Sequence, residues 1–137
     1  MNFASVRIIT GDIEPLVKFY EDITGCTVVM YTPDFAELQT SSGTLAIGSI
    51  NTLALFGGQH IAEPASNRSV IIEFLVEDVD KRYEEISAVI DNTLVQAPTT
   101  MPWGNRSLLF RDPDSNLVNL FTPVTPQARQ KFGLSAI

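Results

Sequence analysis

One strand–turn–helix pattern occurs twice along this chain. The first copy reads VRIITGDIEPLVKFYEDITG from Val6 and the second VIIEFLVEDVDKRYEEISAVI from Val70, so that Asp12 and Asp78 hold equivalent places 66 residues apart. A repeat of this length is the mark of one supersecondary unit used twice. After Asp12 the apolar residues Ile13, Leu16, Val17, Tyr20 and Ile23 advance in steps of three and four, and after Asp78 so do Val79, Tyr83, Ile86 and Ile90. That period places each set on one helix face. Each Asp can accept orphan amide protons of the first turn, which makes both expected N-caps. Pro15 is tolerable in a first turn, and Gly25 supplies the left-handed residue that ends such a helix.

Each helix is followed by short strand-like runs, over residues 27–31, 35–40 and 44–49 and then 93–96, 107–110 and 117–121. Thr32-Pro33-Asp34, Ser41-Ser42-Gly43 and Asp112-Pro113-Asp114-Ser115-Asn116 are turn material between them. The pattern predicts an α+β chain of two βαβββ modules, over 1–56 and 70–123, joined by a connector over 57–69. A tail over 124–137 carries an expected short helix at 126–132, and the whole reads as a single domain.

The 137 residues suffice for one compact domain or two fused half-size modules. No stretch approaches the ~18 apolar residues of a membrane span, and MNFASVRII has no basic region followed by a long apolar run. The single cysteine, Cys26, excludes a disulfide framework, and the single histidine, His60, excludes a histidine-rich metal centre within one chain. Sixteen acidic side chains against nine basic ones give a net charge of −7, which repels phosphate backbones and argues against nucleic acid. A neutral or cationic small molecule is compatible with that charge, as is simple solubility. The expectation is a cytoplasmic protein without a membrane partner.

The segments GDIEPLVKFYEDITG, VEDVDKRYEEI and PWGNRSLLFRDPDSNLVNLF, spread between Phe3 and Pro123, resemble the vicinal oxygen chelate superfamily of glyoxalases, extradiol dioxygenases, fosfomycin-modifying enzymes and bleomycin resistance proteins. The resemblance implies a cup-shaped mixed sheet around a central cleft, and homodimers, sometimes with modules exchanged between chains. Metal-dependent relatives hold a divalent ion with side chains from the first and last strand of each module. Carried over by position, these places fall at Ser5, Ala46 (or Gly48, if the register slips by two), Ile71 and Asn119. Of these only Asn119 offers a ligand, and a lone neutral amide is a poor one. A metal-free cleft with no cofactor is therefore expected, against the Lewis-acid chemistry of the enzymes.

Alternation along strands gives the cleft its expected lining. Phe3, Ser5, Arg7 and Ile9 share a side; so do Ile71, Glu73 and Leu75, and Leu117, Asn119 and Phe121. Thr44, Ala46 and Gly48 are small and leave volume. Arg7 and Glu73 interrupt apolar strands, where an unpaired buried charge costs several kcal/mol. They either anchor a ligand or handle a proton, or they pair with each other across neighbouring strands. Trp103 is either an aromatic wall for a planar or cationic ligand or a cover for the core. Tyr31 and Phe35 are expected to meet across a hairpin, Met30 and Met101 to pack, Cys26 to be a small buried residue and His60 a loop residue. Glu21-Asp22 and Glu84-Glu85 read as solvated helix faces, and Gly57-Gly58 lacks a phosphate-loop pattern.

The resulting expectation is a metal-free, dimeric protein similar to bleomycin-resistance-type proteins. It would sequester a planar or cationic organic compound through Ser5, Arg7, Ala46, Gly48, Glu73, Trp103 and Asn119, with no bond made or broken. The alternative is a glyoxalase-like lyase or dioxygenase-like oxygenase with an atypical metal site drawn from Glu37, Glu73, His60 or Asn119. A third reading is an interaction module whose cup is filled by its own side chains. A transition-metal ion surviving dialysis separates the second from the first.

Overall fold

The computed structural model describes residues 1–58 and 60–135; Gln59 of the connector and Ala136 and Ile137 of the tail lie outside the described residues. Two compact units result, Met1–Asn67 with Pro113–Ser115, and Arg68–Asp112 with the residues from Asn116 on. In the first, β1 (Ser5–Thr10) leads into α1 (Ile13–Thr24), then β2 (Val29–Thr32), β3 (Phe35–Gln39), β4 (Thr44–Ser49) and a 3-10 turn (Ile50–Leu55). The second repeats the plan with β5 (Ile71–Leu75), α2 (Val79–Ile90), β6 (Leu94–Thr100), β7 (Asn105–Arg111) and β8 (Leu117–Pro123), followed by α3 (Pro126–Lys131). Each sheet is mixed, in the orders β1-β4-β3-β2 and β5-β8-β7-β6, with the first strand parallel to the last and the remaining pairs antiparallel. The chain is thus α+β and built of two βαβββ modules.

Burial follows the sheet register. Leu45 and Ile47 of β4 stand opposite Leu38 and Ala36 of β3, and all four are buried, as are Leu16, Val17, Tyr20 and Ile23 of α1. In the second sheet Leu108, Phe110, Val118 and Leu120 are fully buried, with Val79, Ile86 and Ile90 of α2. Each buried Leu, Ile, Val or Phe among them contributes about 1.5–3 kcal/mol on leaving water, so the helix-covered face fixes the register of the strands. The opposite face carries Ser5, Arg7, Ala46 and Gly48 in the first sheet, and in the second Glu73 and Asn119 among Ile71, Leu75, Leu117 and Phe121.

The helix ends depart from expectation in one place. Asp78 caps α2, its carboxylate accepting from Lys81 N at 3.1 Å. Asp12 precedes α1 but makes no side-chain cap; its own N–H donates to the hydroxyl of buried Thr10 at 3.3 Å. Gly25 does end α1 at φ +71°, its N–H donating to Glu21 O at 2.9 Å. Cys26 is exposed rather than buried, because β2 begins only at Val29 and residues 26–28 are a link. That link is held by Glu21, whose carboxylate accepts from Val28 N at 3.0 Å, so Glu21 is more than a solvated charge. Met30 is 44% exposed on edge strand β2 and does not pack as expected.

Two segments escaped the sequence pattern. β6 continues to Thr100 through Pro98, with register shifts on either side of Gln96; it is an edge strand, where a residue without an N–H is tolerated. The 3-10 turn Ile50–Leu55 is started by contacts from a distant turn. Asp34 accepts from Ser49 Oγ at 2.6 Å and Asn51 Nδ2 at 3.1 Å, while Ser49 Oγ accepts from Asn51 N. No helix among the described residues is long and apolar enough to cross a membrane.

Gly104, in the PWG segment, has φ +95°, and a Cβ there would run into Thr125 Oγ1 and approach Ala128 Cβ to 3.0 Å. Strain and overlap together should make Gly104→Ala cost at least about 2 kcal/mol, read as a fall in Tm. Ser49 and Asn51 hold the Asp34 carboxyl below its ordinary value by donating hydrogen bonds to the charged form. A lowered carboxyl contributes stability above its unfolded pKa and loses it as the pH falls through the native one. Asp34→Asn is therefore expected to melt below wild type at pH 7, with the gap closing below about pH 4 in a pH series of thermal melts.

Candidate functional site

On the open face of the first sheet, Arg7 of β1 pairs in register with Ala46 of β4, and Ala46 with Glu37 of β3. The guanidinium carbon lies 4.7 Å from the centroid of the Phe35 ring and 5.4 Å from that of Phe56, which follows the 3-10 turn. Gly48 makes room for the stem: a Cβ at this position would meet Arg7 Cδ at 3.6 Å and Thr52 Oγ1 at 3.0 Å. Tyr31 stacks against Phe35 with centroids 6.1 Å apart, as the hairpin implied. Glu37 is engaged by Gln39, whose Nε2 donates to Glu37 Oε1 and to Tyr31 Oη, both at 3.2 Å. Ser5, opposite Thr44, lies on the same face as Arg7.

On the open face of the second sheet Glu73 of β5 stands opposite Asn119 of β8. Asn119 Nδ2 donates to Glu73 Oε2 at 2.8 Å. Glu73 is exposed, but Asn119 is only 7% exposed, and its Oδ1 is buried without a hydrogen-bond partner among the described residues. Buried polar atoms are normally satisfied, so an orphaned acceptor beside a carboxylate calls for a physical account. Two acceptor groups side by side have unused capacity for N–H donors.

Arg7 and Glu73 do not lie on neighbouring strands: they belong to different sheets, and each has the surroundings just described. The pairing considered from sequence is therefore replaced by an aromatic clamp in one case and an amide–carboxylate contact in the other. Among the expected site residues, Ser5, Arg7, Ala46 and Gly48 share one face, and Glu73 and Asn119 share another. Trp103 is 67% exposed in the loop before β7, so it does not cover the core. His60 is an exposed loop residue.

Ser5, Ala46, Ile71 and Asn119, the places that the resemblance offered for an ion, carry a hydroxyl, a methyl, a branched alkyl chain and an amide. Among the described residues no group of three or more His, Cys, Asp or Glu side chains could hold a metal ion. Asn119 turns its nitrogen to Glu73, which leaves one neutral oxygen beside a single carboxylate, too few donors for the coordination shell of a divalent cation. Sequence reasoning missed Phe56, because the turn that delivers it depends on Asp34; the alternation of β3 would have placed Phe35 beside Arg7.

An orphaned acceptor costs about 1–3 kcal/mol, and replacing it by an apolar group of similar shape removes that penalty. Asn119→Leu should keep or raise Tm in a thermal melt, since water can solvate the exposed Glu73. A drop of several degrees would mean that the amide oxygen is satisfied.

A family model described as Glyoxalase/Bleomycin resistance protein/Dioxygenase superfamily matches residues 2–120. An uncharacterized protein, YraH, of Bacillus subtilis (strain 168) is 25% identical over 125 residues, which span 88% of this chain and 98% of YraH. Among solved structures, a glyoxalase/bleomycin resistance protein/dioxygenase family enzyme from Burkholderia phytofirmans PsJN superposes with TM-score 0.77 at 22% identity, over 90% of this chain and all of that one. A glyoxalase/bleomycin resistance protein/dioxygenase from Nocardioides superposes with TM-score 0.72 at 24% identity, over 90% of this chain and 84% of the other.

Proposed function

Starting from the fact that the chain belongs to the Glyoxalase/Bleomycin resistance protein/Dioxygenase superfamily, we propose that it binds a small organic molecule without a metal ion and catalyses no reaction. The ligand is planar or cationic and brings N–H donors to the open face of the second sheet. One observation carries this reading: Asn119 Oδ1 is buried without a partner beside the exposed Glu73 carboxylate. A cationic donor group would satisfy the amide oxygen and neutralise the carboxylate together, and hydrogen bonds between charged groups are the stronger kind. The net charge of −7 favours a cation at long range.

The reading includes a homodimer. Edge strands β1 and β5 carry Val6, Ile71 and Leu75 at 40%, 49% and 43% exposure, apolar area that a second copy would cover. It also places the protein in the cytoplasm, where an exposed free Cys26 stays reduced.

The test is calorimetric titration of benzamidinium, a planar cation, into protein dialysed against a chelator. Saturable binding is expected, weakened about tenfold or more by Glu73→Gln, in line with the strength of a charged hydrogen bond. Thermal melts with zinc, nickel or manganese should show no stabilisation. A transition metal retained at one ion per chain through dialysis would overturn the proposal in favour of the lyase or oxygenase reading, and binding indifferent to Glu73→Gln would overturn the site.

A further inference from the structure

We propose that Arg7 is an oxyanion subsite, in which a guanidinium held against two aromatic rings presents its N–H edge to the carboxylate of a ligand with an apolar body. The observation behind it is an imbalance in the first unit. A guanidinium has five N–H donors and is always charged. Among the described residues Arg7 donates no hydrogen bond and joins no ion pair, and its contacts are the rings of Phe35 and Phe56. Elsewhere among the described residues arginines meet acids: Arg106 reaches Asp80 through Nε at 2.8 Å and Nη2 at 3.0 Å, and Arg82 pairs with Glu85 at 3.2 Å.

A carboxylate does share the face with Arg7, but it is committed elsewhere. Glu37 lies in register two strands away and accepts from Gln39. The side chain is nevertheless positioned with care. Gly48 leaves space beneath its stem, Phe35 flanks it from β3, and Phe56 is delivered by the 3-10 turn that Asp34 starts through Ser49 and Asn51. Ring contacts restrict an arginine and cover the weakly hydrated flat surface of its guanidinium, while its in-plane N–H groups stay available. That geometry suits a carboxylate, which can take two parallel N–H···O bonds. Phe56 is 64% and Tyr31 54% exposed, so aromatic surface adjoins the charge and favours an organic acid over a bare inorganic anion.

This inference rests on the first unit alone and does not depend on the Glu73–Asn119 reading. The experiment follows the Arg7 Nε–H resonance by NMR while benzoate, inorganic phosphate, chloride or benzamidinium is added to the full chain. Benzoate should shift the resonance saturably and more tightly than phosphate, with chloride giving no saturation. Arg7→Lys should weaken benzoate roughly tenfold, because an ammonium cannot make the paired contact. Phe56→Leu should weaken it several-fold with an unchanged circular dichroism spectrum, since both substituted side chains are exposed. Benzoate no better than chloride, or unaffected by Arg7→Lys, overturns the subsite; phosphate as tight as benzoate overturns the apolar-body assignment. Benzamidinium, read at the Asn119 side-chain amide in the same spectra, reports separately on the other site.

Discussion

A parallel strand pair cannot be closed by a hairpin, and this constraint organises both units. In each, the chain leaves the first strand, crosses a helix, and lays down two more strands before the last returns alongside the first. The returning strand is central in its sheet, the first strand lies at the edge, and their register sets which side chains become neighbours. Arg7 beside Ala46 and Glu73 beside Asn119 are products of that register. Sliding either pair by one residue would turn the apolar set of the strand away from its helix, so the burial of residues such as Ile47 and Leu120 holds the polar arrangement on the far side in place.

The two faces of each sheet answer to different demands. The covered faces consist of Leu, Ile, Val, Ala and Phe at near-zero exposure and account for the stability of the units. The open faces break the local rules of good packing: among the described residues they hold a guanidinium without an acid partner, an amide oxygen without a donor, and small residues at Ala46 and Gly48. Such departures concentrate where a chain serves something other than its own stability. Gly48 shows the exchange at one residue, since the absent side chain is what lets Arg7 lie across the strand.

The repeat, the helix spacing and the turns were legible because each depends on residues close in sequence. The stop at Gly25 and the N-cap Asp78 are local signals, and alternation along β1 and β4, joined to the positions that the resemblance implied, put Ser5, Arg7, Ala46 and Gly48 on one face. The rest depends on partners far along the chain. Asp12 makes no side-chain cap for α1; Glu21 reaches seven residues ahead to Val28; Asp34 founds a 3-10 turn by binding Ser49 fifteen residues later. Pro98 concealed the far half of β6, because only the sheet order shows that this strand is an edge. Arg7 and Glu73 were placed on suitable faces from their neighbours, but their partners could not be: strand alternation says which side a residue takes, not which sheet it joins.

The register of β5 with β8 sets an amide oxygen without a donor among the described residues beside an exposed carboxylate. A crystal of the chain soaked with benzamidinium should show density for the amidinium bridging Asn119 Oδ1 and Glu73, with the amide still turned toward the carboxylate. An ion coordinated at these side chains, or an amide oxygen bonded to another group of the protein, is the result that rules this out.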